Sequence, residues 1–499
     1  MNPFITFFKK NHFLNTKIVI WLLVIYFPIF LNLGGLVMLR WDEGRYGVSS
    51  YEMLQNKNPF IVTFLNQPCL DSTKPPLMHW LQAISITLFG FNETSVRLPS
   101  ALAGLIICIV IMSFSIKRFN SFSLGAICTL LLVTTPDGFC GIDHCVRSGD
   151  YDALLAMFSF IAILYFYQYN QQPQKHKYLF LTFVFFACAF LTKGVAALFY
   201  TPGLVIYAII KGNFLSLLKS KWLYFSIAFF VFTIGFFLLM REYYSPGYLK
   251  ALNETEILGR RDVVKDGHVG DAWYYFTFLK QRFDYFFLLI PFSWMLGMSH
   301  KDEKIRTFSV FSFVLSITFY LVISTSQTKI QWYAFPLLPL LALQAGILVW
   351  ILLKGIVSYV TSKAQFNKVP LLYFSIILVF SSSYSKSVDN ASERTFEEWY
   401  MSYNNIQEYL KPERQVQKKA ILVATNNDVQ IPYLFYYHKL NGDGFNLKYQ
   451  LGYSNYYKAG DKLIVEDPAI QQVIERNYTF NVIDEFRHLK VYIITGKKN

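Results

Sequence analysis

Asp42 and Glu43 stand side by side in the stretch RWDEGRYG, just after the first long apolar run of the chain. A carboxylate where the chain leaves a membrane can act as a general base, taking the proton of an acceptor hydroxyl. It can equally be a solvated loop charge. Arg45, two residues on, adds a cation able to meet a substrate or a phosphate. Lys74 in LDSTKPPLMHW precedes Pro75 and Pro76. The residue before a proline avoids the α region, so this lysine is held extended. It suits a phosphate ligand, or a side chain snorkelling from an interfacial helix. Asp150 and Asp152 in HCVRSGDYDALL open an apolar helix. The helix dipole stabilises negative charge there, so capping explains them as simply as catalysis does. Arg147 beside them is a second candidate for a phosphate.

Lys193 in LTKGVAAL lies between two apolar runs, on the side opposite the basic loops described below. A cation there runs against the usual bias of basic residues to the cytoplasmic side. Lys329 and Tyr333 in TSQTKIQWYAFPLLP form a similar group, with an aromatic belt at the membrane surface as the plain alternative. His268 sits in the polar stretch GRRDVVKDGHVGDAWYY. It offers a ring to a metal or a substrate, although a lone loop histidine more often does neither.

The elements that carry these residues are membrane helices. Of 499 residues 54% are hydrophobic and 16% charged, with 49 Phe and 34 Tyr, whereas a soluble chain carries about 25% charged residues. The fold class is therefore a polytopic α-helical membrane protein with about eleven, at most thirteen, transmembrane helices. The expected spans are 18–38, 100–116, 121–136, 151–168, 178–191, 194–211, 222–240, 283–298, 306–324, 333–352 and 369–385. The first is a retained helix, longer than a signal-peptide core. Leu77–Phe89 contains His79 and Gln82 and reads as a helix lying at the interface of the first outer loop.

Alternate loops are basic: Lys117 and Arg118; Lys175 and Lys177; Lys211, Lys219 and Lys221; Lys301, Lys304 and Arg306; Lys354, Lys363 and Lys368. With these on the cytoplasmic side, Asp42 and the C-terminal region lie outside. The net charge of +14 then belongs to membrane topology, and no nucleic-acid partner is implied. Residues 1–385 form the transmembrane domain. Residues 386–499, with KKAILVATNN, YLFYYHKL, DKLIVED and LKVYIITG as strands and a helix over Pro468–Arg476, form a small α/β domain outside the membrane. Cys69, Cys140 and Cys145 fall in outer loops, where a Cys140–Cys145 disulfide is allowed but not required.

DEGRYG…EML, NQPCLDSTKPPLMHWLQAISITLFGFNETSVRLPSALAGL, LTKG and KIQWYAFPLLPLLAL occur in one order. In that order they resemble the bacterial aminoarabinose (lipid A) transferases, which are similar to protein O-mannosyltransferases within the C-type glycosyltransferases. The resemblance is densest over residues 40–105 and thins towards 345. It implies an inverting transfer of a sugar from a polyprenyl-phosphate carrier to lipid A, a protein or another glycan, on the periplasmic face of the inner membrane. By the same resemblance Asp42 takes the place of the catalytic aspartate, Lys74 that of the lysine gripping the carrier phosphate, and Asp152 or Asp150 that of a second acid. Arg147 and Lys193 fall where the lipid phosphate is held.

In the aminoarabinose branch a Glu directly before Lys-Pro-Pro is associated with a metal. This chain has Thr73 there and Asp71 two residues earlier, while His268 matches the histidine of that site. No cofactor is expected with certainty, and a divalent ion stays open as an alternative. The rival class is a lipid-linked sugar flippase or transporter. Such proteins tend to place ionisable groups near the midplane and to carry inverted repeats. Here the charges crowd into outer loops. A scaffold with an external interaction domain would leave the ordered loop motifs unexplained.

Overall fold

The structure, a computed structural model, describes residues 12–35, 38, 42–70, 73–135, 138–141, 144–257, 268–364, 367–392, 409, 418–424, 430–442 and 444–498. Asp71 and residues 259–267 of the polar loop lie outside the described residues. The chain divides into two compact units. One comprises Met1–Asn32, Pro68–Met78 and Pro99–Glu393, and the other Leu33–Gln67, His79–Leu98 and Arg394–Asn499.

The first unit is helical. Among the described residues seven helices are long and apolar enough to cross a bilayer: Glu93–Phe119, Asp152–Gln171, His176–Leu198, Lys221–Tyr244, Glu303–Ser324, Gln331–Lys363 and Lys368–Ser392. Four more of the expected spans occur as shorter apolar helices, Leu14–Phe30, Phe122–Val133, Thr201–Ile210 and Phe286–Met298, and Leu77–Phe89 is helical as well. The ends carry ordinary signals. Ser121 caps Phe122–Val133 by accepting from Leu124 N, and Asp302 caps Glu303–Ser324 by accepting from Lys304 N. Between helices, polar side chains satisfy one another: Gln344 Nε2 donates to Ser309 Oγ and to the Ser293 carbonyl, and Trp21 Nε1 to Thr129 Oγ1.

Two packings in this unit place the candidate residues. Asp152–Gln171 and His176–Lys193 form a helical hairpin of 20 and 18 residues. Antiparallel helices of nearly equal length bring the start of one level with the end of the other. The 3-10 segment Gln331–Leu337 packs on Asp152–Gln171 and carries Trp332 and Tyr333 to it.

Among its described residues the second unit holds a five-stranded sheet; YLFYYHKL, expected as a strand, is helical instead and lies within Gln430–Gly442. Across the sheet run Lys448–Leu451, Ile421–Ala424, Lys462–Val465, Leu489–Lys497 and Tyr478–Phe486, in that order. The first three strands are parallel, with Leu422 opposite both Tyr449 and Ile464; Leu489–Lys497 runs antiparallel to its two neighbours. Side chains alternate between faces along a strand. Leu422, Ile464 and Val491 therefore pack with Phe435 of helix Gln430–Gly442 and with Val48, Ile86 and Val96. Val423, Leu463 and Val465 pack on the other face with Ile470 and Ile474. Helix Asp42–Asn56 joins the first of these cores closely. A Cβ at Gly47 would come within 3.1 Å of Val96 Cγ2.

Candidate active site

The hairpin in the first unit produces a buried ion pair. Lys193 Nζ lies 2.5 Å from Asp152 Oδ1, with side-chain exposures of 6% and 1%. Burial this deep makes an ammonium costly unless it is paired. The other carboxylate oxygen of Asp152 is also engaged: His144 Nδ1 lies 3.1 Å from Oδ2. The imidazole stacks on Trp332 with ring centroids 3.6 Å apart and planes 10° from parallel. Asp150 stands on the same histidine, its Oδ1 3.8 Å from Nδ1, and its carbonyl accepts from Ser100 Oγ. The Tyr333 ring lies 5.7 Å from Lys193 Nζ. Lys193, Asp152, Asp150 and Tyr333, all expected from the sequence, thus form one cluster.

The Lys-Pro-Pro segment borders that cluster. Gly194 follows Lys193 at φ +62°, and a Cβ there would meet Pro75 Cδ at 3.9 Å. Lys74 is half-buried, and the residues leading to it are tied down. Tyr248 donates its hydroxyl to the Thr73 carbonyl at 2.8 Å. Arg241 Nη2 donates to the Cys69 carbonyl at 3.3 Å, and its guanidinium lies 5.1 Å from the Tyr248 ring. Thr255 Oγ1 donates to Thr73 Oγ1 at 3.4 Å. Charged carboxylate donors hold a divalent ion more strongly than neutral oxygens do. Thr73 offers a neutral hydroxyl and no charged donor at that position.

Other candidates are committed differently. Arg147 donates to the carbonyls of Pro28 and Ile29, each at 3.2 Å, and to that of Ala391 at 3.2 Å. It staples two helix ends together, a geometry different from an open phosphate ligand. Lys329 Nζ donates to the carbonyls of Ser324 and Ser326, both at 2.8 Å, capping helix Glu303–Ser324. His268 accepts at its carbonyl from Lys329 N, and its ring meets Trp332 edge-on at 6.4 Å.

In the second unit Asp42 opens helix Asp42–Asn56 and is half-buried. Glu43 is paired with Arg97. Its carboxylate accepts from Arg97 Nε at 2.7 Å and Nη2 at 2.9 Å, a bidentate fork with both residues 1% exposed. Arg97 Nη1 also donates to the Leu33 carbonyl. The Arg45 guanidinium lies 5.1 Å from the Phe64 ring.

Sequence reasoning passed over His144, Arg241 and Tyr248, and took Trp332 beside Tyr333 as an aromatic belt. The signal for Arg241 was legible, a basic residue ending an apolar helix on the side opposite the basic loops. Nothing in the spacing pairs His144 with Asp152. Cys140 and Cys145 are free thiols, and Cys145 Sγ donates to the Gly138 carbonyl.

Residues 73–238 match the family described as dolichyl-phosphate-mannose-protein mannosyltransferase. The undecaprenyl phosphate-alpha-4-amino-4-deoxy-L-arabinose arabinosyl transferase of Shewanella sediminis is 25% identical over 347 residues, covering 68% of this chain and 60% of the relative. A putative mannosyltransferase of Bacillus subtilis, YkcB, is 26% identical over 198 residues, covering 39% of this chain and 26% of the relative. The chain thus spans about 60% of the length of the first of these curated relatives. The crystal structure of ArnT from Cupriavidus metallidurans bound to undecaprenyl phosphate superposes with a TM-score of 0.72, at 15% identity, covering 96% of this chain and 98% of that one. The fold is therefore that of ArnT, and residues Thr73 to Leu238 within it match the mannosyltransferase family model.

Proposed function

We propose that this chain is an inverting glycosyltransferase that moves a sugar from a polyprenyl-phosphate carrier to an acceptor on lipid A, a protein or another glycan. The reaction takes place at the periplasmic face of the inner membrane. The observation that carries the reading is Lys193: a buried ammonium at the end of an apolar helix, held against Asp152 and bordered by the Lys-Pro-Pro segment. The named activity of the Shewanella relative supports it.

In the proposed reaction the bond between the anomeric carbon and the carrier phosphate breaks as an acceptor oxygen attacks from the opposite side. The leaving phosphate gathers negative charge, and Lys74 and Lys193 are assigned to stabilise it where water is scarce and a charge counts for more. Asp42 is assigned to take the proton of a hydroxyl acceptor, or to orient an acceptor that is itself a phosphate. Tyr333 lines the sugar or phosphate, and Arg45 and His268 are assigned to contact substrate. Arg147, Glu43 and Lys329 hold the surrounding backbone. In the same reading the four shorter helices join the seven long ones as eleven crossings. Residues 386–499 form a periplasmic domain attached to the membrane domain 1–385.

The test is mass spectrometry of outer-membrane lipids, exported proteins and surface glycans from a strain lacking the gene, complemented with wild type or Asp42→Asn. One class of molecule should regain a single sugar mass with wild type only. Equal restoration by Asp42→Asn would remove the proposed base, and loss of polyprenyl-linked sugar translocation with no change in any acceptor would remove the transferase.

A further inference from the structure

His144 is used by nothing in the mechanism above, yet it is held by its backbone, by Trp332 and by Asp152. Its backbone is left-handed, at φ +51°, a conformation that costs a non-glycine residue energy and persists where surrounding contacts enforce it. It is 7% exposed. One ring face lies flat on Trp332, and Nδ1 meets the Asp152 carboxylate. The ring also borders a small pocket with Cys145, Phe278, Arg282 and Gln331.

We propose that His144 is a positioning residue for Lys193, acting through Asp152. A carboxylate held by one oxygen can swing about its Cβ–Cγ bond, and the ammonium paired to it swings too. Here each oxygen has its own partner, Lys193 on Oδ1 and His144 on Oδ2. Trp332 in turn fixes the plane of the imidazole. The chain Trp332, His144, Asp152, Lys193 therefore presents the ammonium in one orientation, as preorganised charge stabilisation requires. The left-handed backbone is part of the device, because it aims a loop side chain back at a helix start eight residues further on. This inference rests on the assignment of Lys193 to the carrier phosphate.

Two substitutions separate the hydrogen bond from the ring. His144→Gly accepts the positive φ without strain and removes both. His144→Asn also tolerates that φ, and its side-chain amide nitrogen can replace Nδ1 as the donor to Asp152. The purified full chain in nanodiscs would be titrated with undecaprenyl phosphate, with melting measured on the same samples. His144→Gly should weaken binding about tenfold, the size of one charge-assisted hydrogen bond, and His144→Asn should return to within about threefold of wild type. A merely structural role would not be rescued by asparagine.

A second readout needs no carrier: acetylation of the Lys193 amine, followed by peptide mass spectrometry, should run severalfold faster in His144→Gly than in wild type or His144→Asn. Trp332→Leu, which frees the ring from its other side, should fall between and serves if His144→Gly does not fold. Carrier binding by His144→Gly equal to wild type, or Asn no better than Gly, overturns the proposal, and so does unchanged acetylation. A folded wild type that fails to bind undecaprenyl phosphate overturns the carrier assignment instead, and the acetylation series then decides the positioning role alone.

Discussion

Asp42 and Glu43 are chain neighbours that should respond to amide substitution in opposite ways. Glu43→Gln removes the charge that compensates Arg97, a guanidinium 1% exposed. Glu93 also acts on Arg97 electrostatically, but its oxygens already accept from Tyr436 at 3.0 Å and Lys439 at 2.6 Å. Removing one partner of a buried pair costs about 3–5 kcal/mol. Glutamine can still accept one of the two Arg97 bonds, which favours the lower end. For a cooperative unit of roughly 150–250 residues this lowers the melting temperature by on the order of 10 °C. Asp42→Asn exchanges one good helix-start residue for another of nearly equal shape at a half-buried position, so its melting should fall less than that of Glu43→Gln.

Melting in detergent can be followed by differential scanning calorimetry, because all six cysteines lie in the first unit and a thiol dye would not report the second. The pair is then tested by a cycle with Arg97→Gln. Single substitutions should each destabilise strongly, while the double substitution loses far less than their sum, a coupling of about 2 kcal/mol or more. Sugar transfer should be abolished in Asp42→Asn and survive in whatever fraction of Glu43→Gln remains folded. Melting of Glu43→Gln within a degree of wild type, or additive effects in the cycle, would refute the division of roles.

Lys193→Ala should weaken undecaprenyl phosphate binding at least tenfold, and Lys193→Arg should recover only part of it, since a planar fork cannot reproduce a point contact of 2.5 Å to Asp152; binding isotherms decide. Gly194→Ala places a side chain at φ +62° and should cost about 1 kcal/mol in stability, with a larger loss of transfer than of melting temperature if the turn sets Lys193. His438 packs among Tyr51, Phe91 and Tyr437, and burial pushes its pKa down to about 4. The folded form therefore holds fewer protons than the unfolded one between pH 4 and 6.5. Its contribution is complete above pH 6.5 and is lost as pH falls towards 4, by at most about 3 kcal/mol. Melting curves at pH 7.5 and 4.5 should converge in His438→Phe relative to wild type, and an unchanged pH slope would rule the residue out as the cause.

The apolar runs announced the helices because bilayer thickness fixes their length and composition. What they do not report is how far each helix holds its geometry. Phe122–Val133 has 12 residues and Thr201–Ile210 has 10, whereas the expected spans reached into turns that are equally apolar. Asp152 and Lys193 were legible as charges at opposite ends of two successive spans, and hairpin geometry alone then puts them together. Glu43 and Arg97 lie 54 positions apart, with no periodic relation to betray the fork. His144 was invisible for another reason, since a left-handed loop residue follows neither the 3.6 nor the 2.0 period on which pattern reading depends.

Arg147 and Lys193 show where such reading stops. Both are cations beside an outer helix end, and both suggested a phosphate ligand. The guanidinium of Arg147 commits three of its five donors to the carbonyls of Pro28, Ile29 and Ala391, and a phosphate could gain those bonds only by releasing three pieces of backbone. The ammonium of Lys193 is a point charge with three rotatable donors, one of them on the Asp152 carboxylate. It can add a phosphate oxygen without leaving that carboxylate. A sequence locates a charge that is out of place, but only the commitments of its donors say whether that charge holds the fold or meets a substrate.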